Sequence, residues 1–398
     1  MGYVINKFAA TLATAAYCAA YGYAQVPLFT PESPVAVGQG SGEVFLVDLN
    51  RDGHLDLITK HLVQRKLTVF SGDGKGHFVP AAEGSMDFDV MPGAVALGDV
   101  NNDGILDLGV SSKVGTNERV HIFLGNRAGG FNPPFGRALA VGASTEGRDY
   151  KPVLRFADLN EDGKLDLISA NERRNSIEIF LGDGQGGFSP GPIVQLGQGG
   201  WNFSFAVGDL DADGHLDLAT SIRGEPPESH PARVEIRRGD GKGGFAVAPD
   251  QTLPVAPDPI FVAIVDLNYD GHGDIVLSHG HTNILSIFLN DGKGVLTPGR
   301  GPAINIGWPA WEFLATDING DKNVDLIATT VESNAPFASK VVVLLGDGHG
   351  EFTTAPGSPF PVGRAAYRLT VGDVNQDGKL DIAASGFGSD GVTLLLGR

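Results

Sequence analysis

The chain has 398 residues, 42 % of them hydrophobic, with 57 glycines, 24 prolines and a formal net charge of −18. This composition is sufficient for a buried core and favours many tight turns over long helices. The acidic charge disfavours nucleic acid as a partner, because phosphates need a basic surface. Beyond the N-terminus no apolar run reaches the roughly 18 residues of a membrane helix, so no membrane span is expected.

Residues 1–24 are typical of a secretory signal. Lys7 precedes a small, apolar run, and Gly22-Tyr-Ala24 resembles a cleavage site. The alternative is an apolar N-terminal helix that packs on the fold. The single cysteine, Cys18, lies inside this segment, so the mature chain is expected to have no disulfide. We expect a secreted protein, extracellular or periplasmic, with residues 25–398 forming one domain.

An acidic segment recurs seven times. Its clearest copy is Asp158-Leu-Asn-Glu-Asp-Gly-Lys-Leu-Asp166, which has oxygen-bearing side chains at positions 1, 3, 5 and 9 and glycine at position 6. Oxygen ligands around a sharp turn suit calcium. A single such loop could instead be a turn whose carboxylates accept backbone hydrogen bonds, but seven together favour calcium. Seven divalent ions would also bring the charge from −18 to about −4. The copies begin at Asp48, Asp99, Asp158, Asp209, Asp266, Asp317 and Asp373.

The copies are 51 to 59 residues apart, which is typical of a repeat architecture. In the third repeat, strand-like segments flank the Asp158 loop, and an alternating segment follows at 176–181. The Gly182-Asp-Gly184 turn then predicts a hairpin into a fourth strand that begins at Phe188. Each unit is therefore expected to contain four short antiparallel strands, with the aromatic residue after the hairpin in the core.

Seven such units predict an all-β fold, a seven-bladed β-propeller. A solenoid is the alternative, but its ends would need capping. The last repeat stops after its third strand at Arg398, whereas residues 28–37 resemble a fourth strand that lacks its own blade. We expect the N-terminal segment to complete the last blade and close the ring.

These loops and the Leu-Gly-Asp-Gly turns resemble the FG-GAP or VCBS repeat family, whose blades occur in integrin alpha-subunit propellers and in many secreted bacterial proteins. The resemblance covers roughly residues 28–398. It implies a calcium-binding propeller with up to seven ions but leaves function open, because the family hosts many functions.

The resemblance also implies the ligands: the side chains at positions 1, 3, 5 and 9 and the carbonyl at position 7. In order of position, these residues are Asp48, Asn50, Asp52, His54 and Asp56; Asp99, Asn101, Asp103, Ile105 and Asp107; Asp158, Asn160, Asp162, Lys164 and Asp166; Asp209, Asp211, Asp213, His215 and Asp217; Asp266, Asn268, Asp270, His272 and Asp274; Asp317, Asn319, Asp321, Asn323 and Asp325; and Asp373, Asn375, Asp377, Lys379 and Asp381.

Two loops depart from the pattern. The sixth has Lys322 in place of the turn glycine, which predicts the weakest calcium binding of the seven loops. The fourth has Asp211 in place of asparagine, which predicts the tightest calcium binding of the seven.

Function is expected on the face opposite the calcium loops, where the sequence differs between repeats. The candidate ligand-binding residues are aromatic and polar: Tyr150, Arg173, Arg174, Trp201, Trp308, Trp311, Tyr367 and Arg368. The alternative for the three tryptophans is packing between blades, and for the two adjacent arginines it is a solvated face. Such residues suit an extracellular glycan or a protein partner. His279 and His281 are a candidate zinc pair, although a solvated turn is the favoured interpretation because no third ligand is visible.

No motif of an established catalytic site is present. The sequence therefore predicts a binding or adhesion module, expected to be monomeric. The alternative is a carbohydrate-active enzyme, such as a polysaccharide lyase, that uses the same face or the central channel.

Overall fold

The structure is a computed structural model that describes residues 26–61, 63–114, 117–143, 153–171, 175–197, 201–224, 231–246, 250–299, 303–332 and 338–398. The predicted signal segment lies outside these ranges. Within them every regular element is a β-strand, and no helix is long and apolar enough to cross a membrane.

The strands form seven antiparallel sheets. Six are wound from the channel outward in chain order, and in the seventh the N-terminal strands are outermost. The first four blades have four strands each. Their bounds are Ser41–Val47, Asp56–His61, Lys66–Gly72 and Phe78–Asp87; Pro92–Gly98, Asp107–Val114, Asn117–Phe123 and Phe135–Ala143; Val153–Ala157, Asp166–Asn171, Ser176–Gly182 and Phe188–Gln195; and Trp201–Gly208, Asp217–Arg223, Arg233–Arg237 and Gln251–Pro254.

The outer strand of the other three blades is split in two. Their bounds are Pro259–Val265, Asp274–His279, Ile284–Asn290, Leu296–Pro298 and Ile304–Asn305; Ala310–Thr316, Asp325–Val331, Ser339–Gly346, Phe352–Thr354 and Phe360–Val362; and Ala366–Gly372, Asp381–Gly386 and Gly391–Gly397, with Phe29–Pro31 and Val35–Ala36 outermost. In the sixth blade the split falls at Pro356, which has no N–H to donate, and at Gly357, whose φ is 84°.

The ring closes as the sequence predicts. Phe29 pairs with Gly397 and Val35 pairs with Val392, so the N-terminal strands complete the seventh blade. The Phe29 ring also packs edge-on against Phe360 of the sixth blade, with centroids 5.3 Å apart. The predicted seven-bladed propeller is confirmed.

The described hydrophobic core consists of seven clusters, one between each pair of neighbouring blades. Successive residues of a second strand face opposite clusters: Leu57 packs toward the seventh blade and Ile58 toward the second. Since neighbouring blades cover both faces, these strands are continuously apolar rather than alternating. Leu57 and Ile58 are both completely buried.

This topology fixes where side chains can act. Each acidic loop joins the first strand of a blade to its second, so all seven loops lie on one rim, the loop rim. The turns between second and third strands, and the starts of the first strands, lie on the opposite rim. The first strands line the central channel.

Candidate metal-binding loops and the opposite rim

The seven acidic loops share one backbone conformation. In every loop, the position 6 amide donates to the position 1 carboxylate at 2.7–2.9 Å. The position 7 amide likewise donates to the position 5 carboxylate at 2.7–3.0 Å. Successive backbone amides thus hold the acidic side chains in a tight turn. This arrangement resembles a nest, a concave run of backbone N–H groups that binds an anion.

The position 9 aspartates are buried and fasten each loop to its blade. Asp107 accepts from the amide of Val100 in its own loop at 2.9 Å and from Gly125 in the glycine turn at 2.8 Å. The other six make the same pair of bonds at 2.8–3.1 Å. These residues therefore position the loop as well as being candidate ligands.

In the six loops other than the fourth, burial raises the pKa of the position 9 carboxyl, and the neighbouring carboxylates at positions 5 and 1 raise it further, whereas the two amides lower it. The pKa values of Asp107, Asp274 and Asp325 reach about 6. Those of Asp56, Asp166 and Asp381 are also raised. A buried carboxylate beside others of like charge is the environment that a bound cation would relieve, and the oxygen-only ligand set suits calcium.

The sequence pattern missed a second turn position. Position 4 takes a left-handed φ of 58–79° in all seven loops, although only the sixth has glycine there. The side chain at this position reaches the next blade in several cases: Glu161 contacts His215 at 2.5 Å, and Gln376 donates to the Gly53 carbonyl at 2.7 Å. Position 4 therefore links neighbouring loops, a role that needs no recurring residue type and leaves no sequence signal.

The sixth loop keeps this conformation despite its substitution. Lys322 has a φ of 75° at position 6, and its amide still donates to Asp317 at 2.8 Å. Gly320 occupies position 4 with a φ of 79°, and the Tyr269 hydroxyl of the fifth blade donates to the Lys322 carbonyl. The lysine therefore holds a backbone conformation that favours glycine.

The fourth loop differs in its side chains. Among the described residues it alone brings three acidic side chains within 4.8 Å of one another, namely Asp209, Asp211 and Asp217. The guanidinium of Arg238 lies beside two of them, 2.7 Å from Asp217 and 3.3 Å from Asp211, whereas Asp209 Oδ1 is buried without a hydrogen-bond partner.

Three aromatic rings meet on the opposite rim between the sixth and seventh blades, and we call them the aromatic cluster: Trp311, Tyr367 and Phe387. The Trp311 and Tyr367 centroids are 5.1 Å apart at 78°, and those of Tyr367 and Phe387 are 5.7 Å apart at 62°. Trp311 and Phe387 remain 37 % and 38 % exposed. The sequence singled out the first two rings but not Phe387, which follows a second strand and carries no motif.

Comparison with a family model agrees with the loops. Residues 48–110, 158–220 and 317–384 match the FG-GAP-like repeat. Each matched segment starts at an acidic loop and runs through the next one, so the segments include every loop except the fifth. The chain is a β-propeller with FG-GAP-like repeats.

Solved structures support the fold of this FG-GAP-repeat propeller. It is similar to BBS1N in a complex with ARL6DN, with a TM-score of 0.60 and 13 % identity over 93 % of this chain and 96 % of that one. A lectin from Agrocybe aegerita that recognises non-reducing terminal N-acetylglucosamine has a TM-score of 0.57 and 18 % identity over 88 % and 86 %. A putative 6-phosphogluconolactonase from Bacteroides fragilis has a TM-score of 0.56 and 14 % identity over 89 % of each chain. No curated protein matches this chain.

The other candidate ligand-binding residues do not join the aromatic cluster among the contacts described. Trp308 is half-buried just before the first strand of the sixth blade. Trp201 begins a first strand opposite Arg223, but its side chain lies outside what the structure describes. Tyr150, Arg173 and Arg174 lie outside the described residues.

Arg368 faces the channel rather than the rim surface. It donates to Glu312 at 3.1 Å and lies 3.8 Å from Glu43, which pairs with Lys60 at 2.9 Å. Burial raises the pKa of Glu312, and the Arg368 charge opposes this effect. These charges link the first strands of three blades, so we assign Arg368 to a structural ion network.

The two candidate zinc ligands point to different partners. His279 is completely buried, and its ring nitrogens lie 2.9 Å from the Ser286 hydroxyl and 3.2 Å from the Pro257 carbonyl. His281 is exposed and pairs with Asp258, which also binds Arg223 at 2.5 Å. Both histidines thus have protein partners, which favours the turn interpretation over a zinc pair.

Proposed function

We propose that this FG-GAP-repeat propeller is a secreted, calcium-stabilised module that binds a glycan on the opposite rim. The observation that carries the proposal is the aromatic cluster. Its three rings come from two blades and are fixed by edge-on packing, yet two of them stay more than a third exposed. Such rings offer a rigid apolar surface that can stack on the apolar face of a sugar ring.

Polar groups beside the cluster suit hydroxyl recognition. The Cβ and carbonyl group of the exposed Arg364 lie against Gly388, the residue after Phe387, and the exposed Asp390 follows in the same turn. A few polar groups around an apolar platform are typical of small-ligand sites. A protein partner would need about 800 Å² on this chain, far more than three rings provide. The likeness to the lectin fits the proposal, but at 18 % identity it concerns the fold alone.

In the same proposal, calcium braces the blades from the loop rim. The oxygen donors at positions 1, 3, 5 and 9, together with the buried position 9 carboxylates, are the observations that support it. An ion that binds only the folded loop stabilises the protein by mass action. In this proposal, calcium stabilises the folded propeller and makes no direct contact with the glycan site.

The test compares Trp311→Ala with the original protein on a glycan array and in a melting experiment. We expect at least a tenfold loss of glycan affinity with little change in melting temperature. Tyr269→Ala is the matched control for glycan affinity, because that ring is 53 % exposed but lies on the loop rim. It is not a control for melting temperature, because its hydroxyl donates to the Lys322 carbonyl of the next blade. Absence of glycan binding by the original protein would refute the proposal, and equal losses of affinity and stability would indicate packing. Release of unsaturated sugar products would instead identify a lyase.

A further inference from the structure

The fourth blade carries an arginine that its relatives lack. Arg238 stands one residue before the turn glycine, Gly239. The corresponding residues of the other blades are uncharged: Ser71, Leu124, Leu181, Leu289, Leu345 and Leu396. The fourth loop is also the one with a carboxylate, Asp211, at position 3. The extra positive charge and the extra negative charge therefore occur in the same blade.

The guanidinium of Arg238 reaches into the ligand set of its loop. Nη1 lies 2.7 Å from Asp217 Oδ2, the oxygen that also accepts from the Leu210 amide at 3.0 Å. Nε lies 3.3 Å from Asp211 Oδ2. A calcium ion binds carboxylate oxygens at about 2.3–2.6 Å. An ion bound to the same two oxygens would meet the guanidinium at close range, with both steric and like-charge opposition.

Contacts outside the loop hold the arginine in place. Nε and Nη2 donate to Asp250 Oδ2 at 3.2 and 3.0 Å, and Nη2 donates to the Gly294 carbonyl of the fifth blade at 3.4 Å. The side chain is 18 % exposed. With its donors divided between the loop and these outer acceptors, the guanidinium is preorganised where it lies.

We propose that Arg238 is the resident cation of the fourth loop and that this loop does not bind calcium, so the propeller holds at most six ions. This inference rests on the proposed binding of calcium by the other loops. It reverses the ranking that the sequence suggests, in which four carboxylates predict the tightest site. The positive charge of Arg238 offsets the negative charge of Asp211. The arginine thereby stabilises the fourth loop in place of a calcium ion.

The test counts calcium ions bound at saturation, by equilibrium dialysis with metal analysis. Asp213→Ala and Asp162→Ala are a matched pair, since each removes the position 5 carboxylate that accepts the position 7 amide, at 2.8 and 3.0 Å. We expect Asp213→Ala to leave the count unchanged and Asp162→Ala to lower it by one. Loss of one ion in both variants would overturn the role of Arg238 while leaving calcium binding intact. Absence of calcium from the original protein would overturn both proposals.

A second variant tests the arginine directly. Arg238→Leu introduces the residue of most other blades and should raise the count by one. Lys242→Leu removes an exposed charge from the same turn and should leave the count unchanged. A folded Arg238→Leu protein with no additional ion would overturn the proposal. If Arg238→Leu does not fold, comparison of Asp213→Ala with Asp162→Ala still shows whether the fourth loop binds calcium.

Discussion

The buried position 9 carboxyls predict that acid stabilises the metal-free protein. Asp107, Asp274 and Asp325 have folded pKa values of about 6, against an ordinary value of 3.8. A raised folded pKa means that the folded state binds the proton more tightly than the unfolded state does. The corresponding stability is fully present below pH 3.8 and is lost as pH rises through about 6.

Linkage gives the size of this effect. A carboxyl whose pKa rises from 3.8 to about 6 gains about 1.3 kcal/mol of folding free energy when pH falls from 7 to 5. Solvent screening reduces this to about 1 kcal/mol per group. These three groups together contribute about 3 kcal/mol to the free energy of unfolding. Glu118, whose pKa burial raises to about 7, adds to this contribution, whereas burial lowers the pKa of His61, His121 and His279, which opposes it.

Urea unfolding of metal-stripped protein at pH 7 and pH 5 measures this difference. Asp107→Asn should remove about 1 kcal/mol of the pH dependence, because the amide does not titrate. Saturating calcium should reverse the sign, since protons then compete with the ion for the same carboxylates. A metal-free Asp107→Asn variant with the same pH dependence of stability as the original protein would refute the reasoning.

Two further variants test particular contacts. Lys322→Gly should raise the free energy of unfolding by about 0.5–1 kcal/mol, because the φ of 75° at this position favours glycine. Lys379→Ala controls for the lost charge. An unchanged melting temperature of the Lys322→Gly variant would contradict the idea of backbone strain at this position. Arg368→Met should cost about 1.5–3 kcal/mol in urea unfolding, because the partly buried Glu312 loses its charged hydrogen-bond donor and retains the Leu369 amide. Adding Glu312→Leu should recover most of that loss, and a double variant as unstable as the single one would contradict the pairing.

Much of the loop rim could be predicted from the sequence. The positions of the acidic side chains, the glycine turns and the closing strand all follow from short patterns that repeat along the chain. The sequence does not predict which side chains from other parts of the chain contact each loop. Arg238 lies 27 residues beyond Asp211 and looks like an ordinary strand residue until the third strand folds back beside the loop. Sequence reasoning therefore counted four carboxylates without their counter-ion.

The opposite rim shows the same division. Trp311 and Tyr367 stand out as aromatic residues near the starts of first strands, but only packing of the sixth blade against the seventh adds Phe387 and separates Arg368 into the channel. By itself the sequence determined the fold, because blade, turn and loop are local, repeated patterns. The tertiary structure decided the rest, because contacts between blades join residues far apart in the chain and follow no period.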